Sequence, residues 1–198
     1  MNYPLAYFDC IGGASGDMLL GALLDAGLPL ERLRADLAKL SLPGFDLRVH
    51  TVYKNGFRAT RVDVIVEDRQ TERHLPQIVT VIRHSTLPSH LKEKAIAIFH
   101  RMGEAEARIH GLPLEEVHLH ELGGLDTIVD VTGVLAGLDA LGVQQIHASP
   151  LPMGTGGTQG AHGHIPLPAP ATLELLKGLP IEGRPEPGET VTPTGAAL

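Results

Sequence analysis

VHLHELGGLDTIVD, residues 117–130, continues as VTGVLAGLDAL to residue 141, and its change of rhythm decides the fold. Before the glycine pair two histidines stand two apart, the spacing that places residues on one face of a strand. After it Ile128, Val131, Leu135 and Leu138 recur at intervals of three and four, the spacing of a helix face. The segment therefore predicts a strand, a Gly123-Gly124 turn and a helix over about 126–141. His118 and His120 would share a strand face, with Glu121 turned away unless the strand ends there. Asp126 and Asp130 would lie one helical turn apart. Gly133 and Gly137 continue that stripe and predict close packing against a neighbouring helix or sheet. Imidazoles and carboxylates meeting through a glycine turn make a candidate cage for a divalent ion. Imidazole suits nickel, zinc and iron, and carboxylate suits magnesium and manganese as well. The plainer alternative is a strand with two half-exposed histidines, then a helix whose Asp126 complements the dipole.

Working outward, 5–8 reads as a short buried strand, and DCIGGASGDM (9–18) as a glycine loop opening a helix over about 17–26. Free N–H groups at such a helix start attract anions, so Gly12, Gly13, Ser15 and Gly16 are candidate phosphate contacts, flanked by Asp9 and Asp17. Ser15 could equally be a helix cap. The loop lacks the Gly-Lys-Ser/Thr of a P-loop and the G-x-G-x-x-G spacing. A second helix carries Leu30, Leu33, Leu37 and Leu40. Residues 46–53 and 59–67 alternate as strands, and Asn55-Gly56 signals a hairpin. A charged loop over 67–73 precedes helices at 75–83 and 88–110. The second of these bears the stripe Leu91, Ala95, Ile98, Met102, Ala105 and Ile109. From Ser149 the chain is rich in Pro and Gly. Residues 154–170 read as a long surface loop that holds Gly154, Gly156 and a second H-x-H pair, His162 and His164, and leads to a helix over 171–177. Residues 192–198 read as the start of a helix rather than a natural terminus.

The chain has 198 residues, 43% hydrophobic and 20% charged, enough for a real core in one large or two small domains. Its formal charge of −7 and only seven Tyr and Phe, with no Trp, argue against a nucleic-acid partner. No apolar run reaches the ~20 residues of a membrane span, and no secretory signal opens the chain. One cysteine, Cys10, allows no internal disulfide framework and fits a reducing cytoplasm. Eleven histidines beside it turn any metal chemistry towards nitrogen and oxygen ligands. No Ser-His-Asp order, His-Glu-x-x-His helix or Cys-x-x-Cys pair points to nucleophilic hydrolysis or structural zinc.

Five runs together carry a resemblance: FDCIGGASGDM (8–18), AEARIHG (105–111), VHLHELGGLDTIVDV (117–131), HGHIPLPAPATLELL (162–176) and VTPTGAA (191–197). In this order they resemble the LarC-type nickel insertion proteins, chelatases that place nickel in a pyridinium-3,5-bisthiocarboxylic acid mononucleotide for the nickel-pincer cofactor of lactate racemase. The resemblance implies a CTP-dependent cyclometallation assisted by Mn or Mg, in a protein nearly twice this length. Residues 1–198 would then be the N-terminal domain, with a sub-boundary near 68–74, and the CTP site would lie in its own C-terminal domain. The full-length protein would be a metal-inserting lyase and the isolated fragment inactive. One departure concerns the histidine-rich tract of many relatives, which here reads DRQTERH (68–74) and keeps one histidine.

The sequence thus predicts a mixed α/β fold, with helices on a modest mixed sheet and motif loops at one edge. His118, His120 and Glu121 are expected to be ligands or bases. Asp126, Asp130, His162 and His164 are expected to bind metal in the same cleft. A base is useful because forming a nickel–carbon bond expels the ring proton, and histidine titrates near ~6.5. The rival readings are a nickel-delivery module without catalysis, a metal-dependent phosphohydrolase, and an oligomer-forming fragment with incidental histidines. A homo-oligomer is left open.

Overall fold

The computed structural model describes residues 4–67, 73–119, 122–160 and 163–198. Its organising element is a helix that lies inside the molecule. In chain order the elements are β1 (Leu5–Phe8), α1 (Gly16–Asp25), α2 (Leu30–Ala38), β2 (Phe45–Lys54), β3 (Phe57–Val66), β4 (Arg73–His74), α3 (Leu75–His84) and α4 (Ser89–His110). There follow β5 (His118–Leu119), α5 (Leu125–Ala140), β6 (Gln145–Ala148), β7 (Leu151–Gly160), β8 (Gly163–Leu167), α6 (Pro170–Leu175), β9 (Ile181–Pro187) and α7 (Pro193–Ala197). The fold is mixed α/β, as the sequence predicts. Among the described residues the strands divide into three two-stranded ladders and one three-stranded mixed sheet ordered β8-β7-β9.

Helix α5 packs against α1, α2, α4, α7 and β3. Its apolar residues are spread round the circumference: Ile128, Val129 and Val131 are all fully buried. A helix apolar all round belongs in an interior. The predicted glycine contact is present. A Cβ on Gly133 would stand 3.0 Å from Leu20 of α1, and one on Gly137 would stand 2.9 Å from both Leu23 and Leu28. The missing side chains are the space that α1 and its following turn occupy.

The hairpin β2–β3 forms around Asn55 (φ 50°) and Gly56 (φ 83°), two positive angles that suit the right-handed twist of the flanking strands. In α4 the buried residues are Leu91, Ala95, Phe99, Met102, Gly103 and Ala105. Phe99 and Gly103 join the predicted stripe, and Ile98 beside Phe99 is only partly buried. Ile109 is 38% exposed, because the last turn runs past the core.

Two further expectations are corrected. Residues 154–167 are largely strand rather than loop. Gly156 to Gly160 pair antiparallel with Leu167 to Gly163, and β7 also pairs parallel with β9. Pro and Gly depress strand propensity, yet β7 is extended because β9 supplies the ladder to its first half and β8 to its glycine-rich second half. The predicted helix at 171–177 starts at Pro170 and ends at Leu175. Residues 68–72, which hold most of the charged loop and of the proposed sub-boundary at 68–74, lie outside the described residues.

Candidate functional site: a carboxylate cleft between α1 and α5

Both α1 and α5 carry an aspartate in the first turn, Asp17 and Asp126, where the positive end of the helix dipole favours a carboxylate. Because the two helices pack together, these acidic ends converge. Asp130, one turn further along α5, lies against Gly16: a Cβ on Gly16 would be 2.3 Å from its Oδ2. The three carboxylates, with Ser15, Glu189 and Thr192, line a cavity of about 380 Å³ closed by β3, β8 and the start of α7. Its described lining includes no Lys, Arg or His.

The electrostatics follow from that inventory. Asp130 Oδ1 is buried and has no hydrogen-bond partner among the described residues. Burial first, then the charges of Asp17 and Asp126, push the Asp130 carboxyl up to about 8. A carboxylic acid that holds its proton near neutrality, inside an acidic cleft, is poised to exchange that proton for a cation. Ser15 occupies the N-cap position of α1, but its hydroxyl bonds the Asp17 carboxylate rather than a backbone amide. The cap reading is corrected accordingly. Thr192 does cap α7, accepting from the Gly195 N–H at 3.2 Å. As placed, no three His, Cys, Asp or Glu side chains among the described residues stand close enough together to hold a metal ion.

The other predicted residues are dispersed. Gly13 packs so tightly on the Thr190 carbonyl that a Cβ would overlap it at 1.9 Å, and Gly154 lies against the Gly188 carbonyl at 2.2 Å. At both, the absent side chain makes room for neighbouring backbone. Gly12 is exposed in the same loop. A Cβ on Gly156 would meet none of the described atoms within 4 Å, but the residue takes φ 104° in β7. His118 lies on the exposed face of β5 beside a fully buried Leu119. His164 lines a second, largely apolar cavity of about 230 Å³ with Glu106 and His110, which pair at 3.2 Å across one turn of α4. The two cavities adjoin, sharing Leu122, Ile165, Ala169 and Pro193 in their walls. His120, Glu121 and His162 lie outside the described residues. Cys10 is buried, and that burial raises its thiol.

Asp17, Glu189 and Thr192 are not in the site set derived from sequence. The signal for Asp17 is its place in FDCIGGASGDM, and for Thr192 its place in VTPTGAA. Glu189 has no comparable signal.

Comparison with known proteins is consistent along the whole chain. A protein of Geotalea uraniireducens named for nickel insertion is 48% identical over 196 residues, 98% of this chain and 50% of the relative. A pyridinium-3,5-bisthiocarboxylic acid mononucleotide nickel insertion protein of Desulfitobacterium hafniense is 49% identical over 193 residues, 98% of this chain and 48% of that protein. The chain therefore spans about half the length of the curated relatives it matches. No solved structure matches it. The sequence model of nickel insertion proteins matches residues 6–198. On that match and those identities, the chain belongs to the nickel insertion protein family.

Proposed function

We propose that this chain is the N-terminal domain of a longer cytoplasmic protein that inserts nickel into a pyridinium-3,5-bisthiocarboxylic acid mononucleotide, with CTP and Mn or Mg engaged by the C-terminal domain. The product would be the nickel-pincer cofactor of lactate racemase. The observation that carries the reading is the carboxylate cleft, where Asp130 holds a buried, unpartnered oxygen between Asp17 and Asp126.

Three carboxylates with no cation in the described lining repel one another, and a divalent ion held by Asp17, Asp126 and Asp130 would relieve that repulsion and displace the Asp130 proton. In the reaction the ring C–H bond breaks as the nickel–carbon bond forms, and one proton must leave. In the ion-free cleft the ionised fraction of Asp130 is an acceptor whose pKa lies near neutrality, as an efficient base requires, whereas beside a bound ion the same carboxylate would serve as a ligand. His118, His120 and Glu121 remain proposed as further ligands or bases, with His162 and His164 contributing from the β7–β8 side. Ser15 and Gly16 start α1 at the cavity wall and are the proposed substrate-phosphate contacts. A phosphate there needs a bridging cation, since the lining is acidic. Gly12, Gly13, Gly154 and Gly156 would shape the backbone around this binding region.

Asp130→Asn in the full-length protein should lower CTP-dependent nickel incorporation by about 100-fold, the order associated with a lost acid–base group. Wild-type turnover in that variant would sink the assignment. The same cleft supports a second reading, a metal-dependent phosphohydrolase. Phosphate release with magnesium and no nickel requirement would establish that alternative.

A further inference from the structure

We infer that His74 and His118 form a two-imidazole docking site for a borderline divalent transition ion, nickel above all, on the β4–β5 ladder outside the carboxylate cleft. The two residues are direct partners in the antiparallel register, so their side chains stand side by side on one face. Their ring centroids are 4.0 Å apart at an interplanar angle of 46°. Two imidazole nitrogens on one ion, each about 2.1 Å from it, can be at most about 4.2 Å apart. Rings at this separation can meet that limit by side-chain rotation that releases the His74 ring from the capping-box bond it accepts from the Gln77 backbone N–H.

The backbone beneath the pair is well held. The His74 N–H donates to Gln77 Oε1 at 2.9 Å, where α3 begins, and the Arg73 guanidinium donates to the Gly123 carbonyl at 2.9 Å. Gly123 itself has no room for a side chain: a Cβ would stand 2.4 Å from the Leu119 carbonyl oxygen and 2.5 Å from the Arg73 nitrogen. The ladder is thus locked to the Gly123-Gly124 turn, and that turn opens α5, which carries Asp126 and Asp130. Neutral imidazole selects nickel over magnesium and, in the general order of divalent affinities, over manganese. Two protein ligands leave most coordination positions to water or to a sulfur-bearing substrate, which suits an ion that must be passed on. As a step on a nickel route the site rests on the function proposed above. As a metal site it does not.

The test is nickel sulfate alone, titrated calorimetrically into the 198-residue chain without CTP or substrate, with nickel-edge X-ray absorption on the complex. A nickel site with scattering from two imidazoles is expected, distinct from any ion held in the carboxylate cleft. His74→Gln and His118→Gln should each weaken binding by about 10-fold or more, since even second-shell changes reach that size. The double variant should be no more than about twofold weaker than the weaker single, because both lose one shared site. His90→Gln, on the exposed face of α4, should bind as wild type, and thermal melts check that each variant is folded. Wild-type affinity in either single variant, fully additive losses, or a spectrum without imidazole scattering overturns the site. Because no turnover is read, failure here is distinguishable from failure of the Asp130→Asn assay.

Discussion

Two aspartates sit inside helical packing in this fold, and their surroundings have opposite sign. Asp36, near the end of α2, is 5% exposed and lies between Arg32 at 2.7 Å and Lys39 at 2.5 Å. Burial alone would raise its carboxyl, but the hydrogen bonds and charges of Lys39 and Arg32 outweigh it and hold it below the ordinary carboxylate range. Asp130 on α5 has two carboxylates for neighbours and no cation among the described residues of its cavity, and its carboxyl rises to about 8. Asp36 is a solved packing problem. Asp130 is left unsolved in the protein alone, and such unsolved groups cluster where ligands bind.

The sharpest way to break this contrast is stability against pH. Folded Asp130 keeps its proton up to about pH 8, whereas an unfolded aspartate releases it near 3.8. Between those values the unfolded state binds fewer protons, so this group's contribution to stability falls as pH rises from about 4 to about 8 and is level beyond. Asp130→Asn should remove that slope. Relative to the variant, the wild type should lose at most roughly 6 kcal/mol across the window, and less because the carboxyl keeps some water. Urea midpoints of both proteins at a series of pH values give the answer, and parallel curves would end the argument.

Asp36→Ala should show the reverse sign, a loss of about 1–2 kcal/mol above pH 5 that fades as pH falls and the wild-type carboxyl protonates. The loss is smaller than for a fully buried pair because Arg32 and Lys39 are 56% and 37% exposed and regain water. Chemical denaturation at pH 7 and pH 3 would measure it. A comparable modest effect is expected at the packed end of α5. Gly137→Ala gains about 1 kcal/mol of helix propensity but presses on Leu23 and Leu28 at a cost of about 1–3 kcal/mol, for a net loss near ~1 kcal/mol. A variant more stable than wild type would mean that the leucines yield freely.

The smallest effect concerns rank. Asp17 acts on Asp130 more strongly than Asp126 does. Asp17→Asn should therefore pull the Asp130 titration down further than Asp126→Asn, as read by carboxyl carbon NMR. The opposite order would move the electrostatic centre of the cleft from the α1–α5 contact to the first turn of α5.

Much of the fold was legible because local signals agreed with tertiary demand. Asn55-Gly56 dictates a hairpin through its backbone angles alone, and Gly133 and Gly137 announce a close helix contact by spacing. The β7–β8 hairpin was not legible. GTGGTQG lacks the residues that favour strands, and it is extended because β8 and β9 supply its hydrogen bonds. The site divided in the same way. Asp126 and Asp130 were singled out by their i, i+4 spacing, and the fold puts both in the wall of one cavity. His118 was marked, but its neighbour His74, 44 positions earlier, was not, because cross-strand register is not a local property.

By itself the sequence determined the residue types available for chemistry, the turn and helix that present Asp126 and Asp130, and the family through five ordered motifs. Only the tertiary structure decided that Asp17 joins that pair, that Gly13 and Gly154 make room for backbone, and that His118 faces away from Leu119 towards His74. The reason is one of range. Propensity and spacing act within a turn or two of chain, whereas the desolvation and like-charge repulsion that set Asp130 apart arise only when α1 and α5 meet.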